Sequence, residues 1–460
     1  MRRAAATVAR EGAALQGAEM TDWLKASAAD LGRAIGAGQT DPVALTETYL
    51  NAIAAHPARD DIYSAVTQER AMAEAEAAKS RADLNQRLGP LDGVPISWKD
   101  LFDSAGTVTE AGSKLLEGRV PDKDARVLAN ATKAGLVCLG KTHMSELAFS
   151  GLGLNPVAAT PPNVNDPALV PGGSSSGAAA SVAHDLAACG IGSDTGGSVR
   201  IPSAWNDLVG LKTTSGRLSN AGVVPLCPRF DTVGPLSRTV EDCALILAAL
   251  EGGKSVDLKG VGLRGMRFGA VQTVAMDDVR NAPMKAYCDA IDRLKQAGAV
   301  IEPFDSPELT EAFPMSSILF TSEAYGMWSD VIEASPEKMF PAILERFRSG
   351  KDFTAADYIA AWTKLEALQA RWHARVAEFD AVLAPTAPIL PPDRERLLRD
   401  DEYYVTENLL ALRNTRIGNL MGVCSVSLPT AVPSCGLMLL GAPFAEEKLL
   451  RVAKAAESAL

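Results

Sequence analysis

Two Gly-Gly-Ser turns, Gly172-Gly173-Ser174 and Gly196-Gly197-Ser198, place two serines 24 residues apart in a stretch rich in small side chains. Two glycines before a serine allow backbone conformations that a Cβ forbids, and they let a substrate carbonyl approach bare N–H groups. Such turns admit two readings. In one they join a strand to a helix or cradle a phosphate. In the other Ser198 is a nucleophile, and the amides of Thr195, Gly196 and Gly197 face a developing oxyanion. A serine nucleophile needs a base to take its proton. The four histidines, His56, His143, His184 and His373, sit in no triad-like setting, and Gly-Gly-Ser-Val-Arg is not the Gly-x-Ser-x-Gly nucleophile elbow. His143, without a metal-spaced partner, reads as a structural hydrogen-bonding histidine. Lys99 is the better base. It ends the apolar, β-prone run GVPISWK, where burial disfavours the ammonium and lowers the pKa.

These residues need elements to hold them. Residues 177–188 are mostly alanine, with Val182 and Leu186 on one face, and predict a helix that packs its neighbours closely. Residues 187–192 form a short apolar run of buried-strand type, and 91–102 turn β-like to deliver Lys99. A helix over 124–134 and a strand over 135–140 continue the alternation, which favours a layered α/β domain. Upstream, two helical segments between residues 21 and 55 flank the turn GAGQTDP, with Asp41-Pro42 as a helix start, and 67–87 read as a solvated helix. Downstream come strands at 263–271 and 300–304 around a helix at 283–296. Residues 322–379 are mostly helical, 385–393 a proline-rich loop, and 423–432 a final strand-like run before a helix from Glu446. Tyr325, Met327, Trp328, Phe340, Phe347, Tyr358 and Trp362 lie at helical spacing; packing of helices is their expected role, lining of an acyl pocket the alternative. The GGKS at 252–255 lacks the first glycine of a phosphate-binding loop, since position 248 is Ala248.

Four blocks in order, GVPISWKD (93–100), GKTHMSE (140–146), PGGSSSGAAASVA (171–183) and SDTGGSVRIP (193–202), resemble the amidase signature family of serine hydrolases. The likeness continues through 210–247 and returns at DAVLAPTAP (380–388) and the closing LLRVAKAAE. It implies one large α/β domain over 21–460, a central mixed sheet covered by helices, with a signature core at about 75–250 and a variable pocket region at about 310–380. Carried over residue by residue, it implies Ser198 as nucleophile, Ser174 as a bridging serine after a cis peptide from Gly173, and Lys99 as base. The N–H groups of Thr195 to Ser198 would form the oxyanion hole. Asp194 and Arg200 are expected to hold the second turn, with contact to an acidic substrate as an alternative for Arg200; Ser175, Ser176 and Asp100 are expected to support. The implied reaction is hydrolysis of a non-peptide carboxamide to a carboxylic acid and ammonia or amine through an acyl-enzyme. Within the family the alternative is a glutaminase-type subunit of an aminoacyl-tRNA amidotransferase, which works with a partner. Outside it, a phosphate- or nucleotide-binding protein would lack any phosphate-binding motif and leave Lys99 unexplained.

Composition narrows the partners. A net charge of −11 over 460 residues, with no basic cluster, argues against nucleic acid or an anionic membrane as the main partner; the resemblance implies a small-molecule amide as substrate, and a homodimer is compatible with this. Seven cysteines, dispersed and without CxxC pairs, predict a reduced cytoplasmic protein with neither disulfides nor a zinc site, and no cofactor is implied. The start, MRRAAATVAREGAALQGAE, lacks a secretory apolar core and is expected to be a disordered leader over 1–20, with Met20 as a further candidate start. No run of 18 apolar residues predicts a membrane span.

Overall fold

Short apolar runs of four to six residues, too short for core helices, build one eleven-stranded sheet in the computed structural model, which describes residues 23–460. The leader expected over 1–20 lies outside the described residues. The strands are β1 (Tyr63–Val66), β2 (Pro95–Lys99), β3 (Val137–Thr142), β4 (Cys189–Ser193), β5 (Val209–Lys212), β6 (Val233–Ser237), β7 (Arg267–Val271), β8 (Val300–Phe304), β9 (Ala381–Pro385), β10 (Ser425–Pro429) and β11 (Gly436–Leu440). Their spatial order is β1-β3-β2-β4-β6-β5-β10-β11-β9-β7-β8. β3, β2 and β4 run parallel, as do β9, β7 and β8, and antiparallel pairs join the two groups. The sheet is therefore mixed, as expected. β2 to β6 and β9 are buried at every position, the mark of a sheet covered on both faces.

The expected helices form where the capping residues stand. Asp41 accepts from the N–H groups of Val43 and Ala44 (2.9 and 3.0 Å) at the start of Pro42–Ala55. The helical stretch after residue 315 resolves into Met315–Ala334, Pro341–Arg348 and Ala355–Val376. The GGKS at 252–255 closes the helix Val240–Glu251: Gly252 takes φ 78° and donates to the Ala248 carbonyl, a left-handed helix cap. Two differences matter. The helix expected over 177–188 is Ser176–Ala183; Asp185 turns left-handed (φ 60°), so Leu186 belongs to the connection, where its carbonyl accepts from the Tyr63 hydroxyl. The strand-like run at 423–432 is not the last, because β11 follows it and pairs with β9 as well as β10.

The Ser176–Ala183 helix lies directly on β4. A Cβ at Gly190 would come within 2.5 Å of the Ala178 carbonyl oxygen, and one at Gly177 within 2.6 Å of that of Ile62. Small residues here are a consequence of backbone approach, and the approach fixes both serine turns against the carboxyl ends of β2 and β4. Open α/β sheets bind ligands at that edge.

Candidate active site

Lys99 ends β2 and Ser193 ends the adjacent parallel β4. The Lys99 side chain is fully buried, and its Nζ donates to Ser174 Oγ (2.7 Å) and Ser193 Oγ (2.8 Å). Among the described residues no carboxylate pairs with it; Lys141 forms the neighbouring ion pair, with Asp100 at 3.0 Å. Burial pushes the Lys99 pKa down to about 7, against the upward pull of the Asp194 and Asp231 charges. A hydrogen-bonded but unpaired lysine of this kind exchanges its proton near neutrality.

The first turn is held from both sides. The Gly173–Ser174 peptide is cis. Gly173 N–H donates to the Gly151 carbonyl (2.8 Å), and the Ser174 carbonyl accepts from Ser145 N–H (3.1 Å). Ser175 links the two turns: its N–H donates to the Ser198 carbonyl (3.2 Å) and its Oγ to the Ser193 carbonyl (3.2 Å). Ser176 Oγ donates to the His143 carbonyl (3.3 Å), so His143 meets this turn through its backbone.

The second turn is organised by Asp194, whose buried carboxylate accepts from Gly197 N–H (2.8 Å), Val199 N–H (3.2 Å), Arg200 Nε (2.9 Å) and Asn419 Nδ2 (3.1 Å). Burial works to raise its pKa, but Arg200, Lys212 and Asn419 hold it at about 2. Arg200 is also fully buried and spends its remaining donors on the Thr415 carbonyl (2.6 Å) and Asn419 Oδ1 (2.7 Å). With its donors taken by Asp194, Thr415 and Asn419, it holds the turn. One of the expected oxyanion donors is likewise committed, since Gly197 N–H belongs to Asp194. The N–H groups of Thr195, Gly196 and Ser198 make no hydrogen bond to the described residues. A phosphate cradle would draw on the same amides, and the Asp194 carboxylate held at Gly197 N–H disfavours a phosphate there.

Ser198, Thr195 and Gly196 line a narrow cleft with Phe149, Arg346 and Arg416. Ser198 Oγ hydrogen-bonds to none of the described residues, so the structure joins Lys99 to Ser174 but not Ser174 to Ser198. Beside the cleft, and sharing Phe320, Arg346 and Arg416 with it, lies a cavity of about 510 Å³. None of the seven aromatic and methionine residues singled out between 325 and 362 lines either space. Trp362 stacks on Phe230, Trp328 Nε1 donates to the Pro225 carbonyl, and Phe347 packs edge-on to Phe149, so these three pack the helices, whereas Met327 is half exposed.

Sequence reasoning passed over Ser193, Asp231, Arg346 and Arg416. Ser193 stands at the head of the SDTGGS block, the signal that was present. Asp231 accepts from Thr195 Oγ1 and from the N–H groups of Leu226 and Cys227, fixing the loop beside the second turn. The two arginines lie in regions without motifs and meet only in three dimensions.

The class this arrangement defines is that of amide-hydrolysing enzymes. Residues 44–450 match the family described as Amidase, and the chain belongs to that family. It is 35% identical over 427 residues to the 2-amino-5-chloromuconic acid deaminase of Comamonas testosteroni, covering 90% of this chain and 92% of the relative. With a glutamyl-tRNA(Gln) amidotransferase subunit of Thermobifida fusca (strain YX) it shares 34% identity over 362 residues, 75% of this chain and 71% of that one. A crystal structure of an amidase superposes with a TM-score of 0.84 at 29% identity, covering 95% of this chain and all 100% of the other.

Proposed function

We propose that this amidase hydrolyses a small linear carboxamide through an acyl-enzyme on Ser198, with Ser174 as the proton relay and Lys99 as the base. The observation that carries this is the environment of Lys99: buried, without a carboxylate partner, and held by the Ser174 hydroxyl at 2.7 Å. Neutral Lys99 takes the Ser174 proton as Ser174 takes that of Ser198, and Ser198 Oγ bonds to the amide carbon. The link from Ser198 to Ser174 closes on substrate binding, as catalytic hydrogen bonds open in a resting site do. The oxyanion faces the uncommitted N–H groups of Thr195, Gly196 and Ser198. The C–N bond breaks as the nitrogen receives the proton held by Lys99 through Ser174, and ammonia or an amine leaves. Water then attacks the ester carbon along the same proton path and releases the carboxylic acid.

Two measurements test the assignment. Because only neutral Lys99 accepts a proton, kcat/KM should rise with pH through about 7 and fall away below it as the ammonium forms. Lys99→Met should lose about 10²–10⁴-fold in kcat; near-normal turnover would remove Lys99 from the role. Ser198→Ala should abolish covalent labelling by a fluorophosphonate, and labelling that persisted at another serine would relocate the nucleophile.

A second reading rests on the likeness to the amidotransferase protein of Thermobifida fusca: ammonia from glutamine is passed to a partner rather than released. It predicts silence on free amides by the isolated chain despite labelling at Ser198. Among the described residues no helix is long and apolar enough to cross a membrane. All seven cysteines are free thiols, which supports placing the enzyme in a reducing cytoplasm.

A further inference from the structure

Two guanidinium groups border both the cleft at Ser198 and the 510 Å³ cavity beside it: Arg346, on the helix Pro341–Arg348, and Arg416, which opens the helix Arg416–Leu420. Three other deeply placed arginines of this molecule are answered by carboxylates, while Arg413 meets Asn414 Oδ1 and the Ala275 carbonyl. Arg200 meets Asp194, Arg70 meets Asp124, and Arg217 meets Glu446. Arg346 and Arg416 meet none among the described residues. Glu345, next to Arg346 in sequence, turns to Arg348 at 3.4 Å, and Arg348 also takes Glu333 at 2.8 Å. Arg346 has the Phe149 carbonyl (3.0 Å) and lies over the Phe149 ring, 4.4 Å from its centroid. The Arg416 side chain makes no hydrogen bond to a described residue.

Two half-buried cations on the wall of one cavity, whose lining also carries Glu345 and Asp401 but without an ion pair to either arginine, repel each other, and an anion that enters between them relieves this. Burial and the charge of Arg346 push the Arg416 pKa down to about 9, which leaves it cationic at neutral pH. Its stem passes close to the second serine turn: a Cβ at Gly196 would stand 3.8 Å from Arg416 Cγ. An anion bound there is therefore part of whatever molecule occupies the cleft at Ser198. The cavity's volume suits a small organic acid.

We propose that the substrate is an amide bearing a free carboxylate, a monoamide of a small dicarboxylic acid, and that Arg346 and Arg416 bind that carboxylate while the carboxamide lies at Ser198. The proposal rests on Ser198 being the reacting serine. Guanidinium groups suit the task because their planar forks match both oxygens of a carboxylate, which a lysine ammonium does not.

The test separates binding from turnover. Glutarate and adipate, titrated calorimetrically into the wild-type protein, should bind about 10-fold or more tightly than the neutral 1,5-pentanediol and 1,6-hexanediol of the same chain lengths. Arg346→Gln and Arg416→Gln should erase that preference, and Arg416→Lys should restore only part of it. In ammonia-release assays glutaramic acid should exceed valeramide in kcat/KM by about 100-fold, with the arginine substitutions acting chiefly on KM. Equal affinity for the dicarboxylates and the neutral diols in the wild-type protein, including binding of neither, overturns the proposal even if neutral amides are turned over well. Arginine-dependent binding of dicarboxylates without ammonia release from any amide would instead count against the acyl-enzyme reading and leave the anion site standing.

Discussion

Lys99 reaches two hydroxyls, and they differ in what they do. In the proposed mechanism Ser174 lies on the proton path, whereas Ser193 only receives a hydrogen bond from Nζ, at 2.8 Å, and so favours the charged form and fixes the amine's position. Ser193→Ala removes that acceptor. The pH at which kcat/KM rises should move downward, by less than about one unit, with a few-fold loss in kcat. A profile that stays in place or moves upward, followed by ammonia release from about pH 5.5 to 9.5, would show that Ser193 does not tune the lysine. The burial of Lys99 was legible because it ends an apolar run, as the buried Lys212 does in β5. Ser193 was not, because its role depends on β4 lying beside β2 in parallel, which no local pattern encodes. Arg346 and Arg416 were equally hidden, each an ordinary helical arginine until the chain folds.

The element that couples the site to the scaffold is the Ser176–Ala183 helix on β4. Gly190→Ala would put a Cβ 2.5 Å from the Ala178 carbonyl oxygen, backbone against backbone, so neither side can yield by rotating a side chain. We expect a stability loss of roughly 1–3 kcal/mol from overpacking. The loss in kcat/KM should be larger than that fall in stability explains, because both serine turns move with the helix. Thermal unfolding and steady-state kinetics on one preparation check this; an unchanged kcat/KM in a destabilised variant would uncouple the helix from the site. Alanine content made this helix readable, but its end was misplaced, since the left-handed turn falls on Asp185 and no glycine announces it. Short strands such as YSAV in β1 and GLMLL in β11 went unread for a different reason: four or five apolar residues look the same in a buried strand and in a core helix.

At the scale of the molecule the sheet is completed late. β5, near the middle of the chain, pairs with β10, and the helix Glu446–Glu457 then covers that region through buried Leu449 and Leu450. Leu450→Ala should cost about 2–5 kcal/mol. The sheet is continuous, so the loss should appear as one shifted unfolding transition while kcat per folded molecule holds; a separate early transition would show that the C-terminal part melts alone. The mixed architecture was foreseen through the resemblance of the motif blocks, not through periodicity, which reported alternation but not strand order. Long-range pairings such as Leu211 with Val426 leave no trace in the sequence around either residue.

The two serines flank a single helix-and-strand unit that is wedged between fixed neighbours, and this makes residues 174–198 a ruler. Adding or deleting one residue between Ser176 and Ser193 would slide one hydroxyl past Lys99 by a full step while the other stayed in place. By contrast, the exposed connector at 252–260 can change length at little cost, since loop closure grows only slowly with added residues. Length tolerance, mapped by single-codon insertions across the gene, should therefore fall to zero across this interval and stay high across the connector.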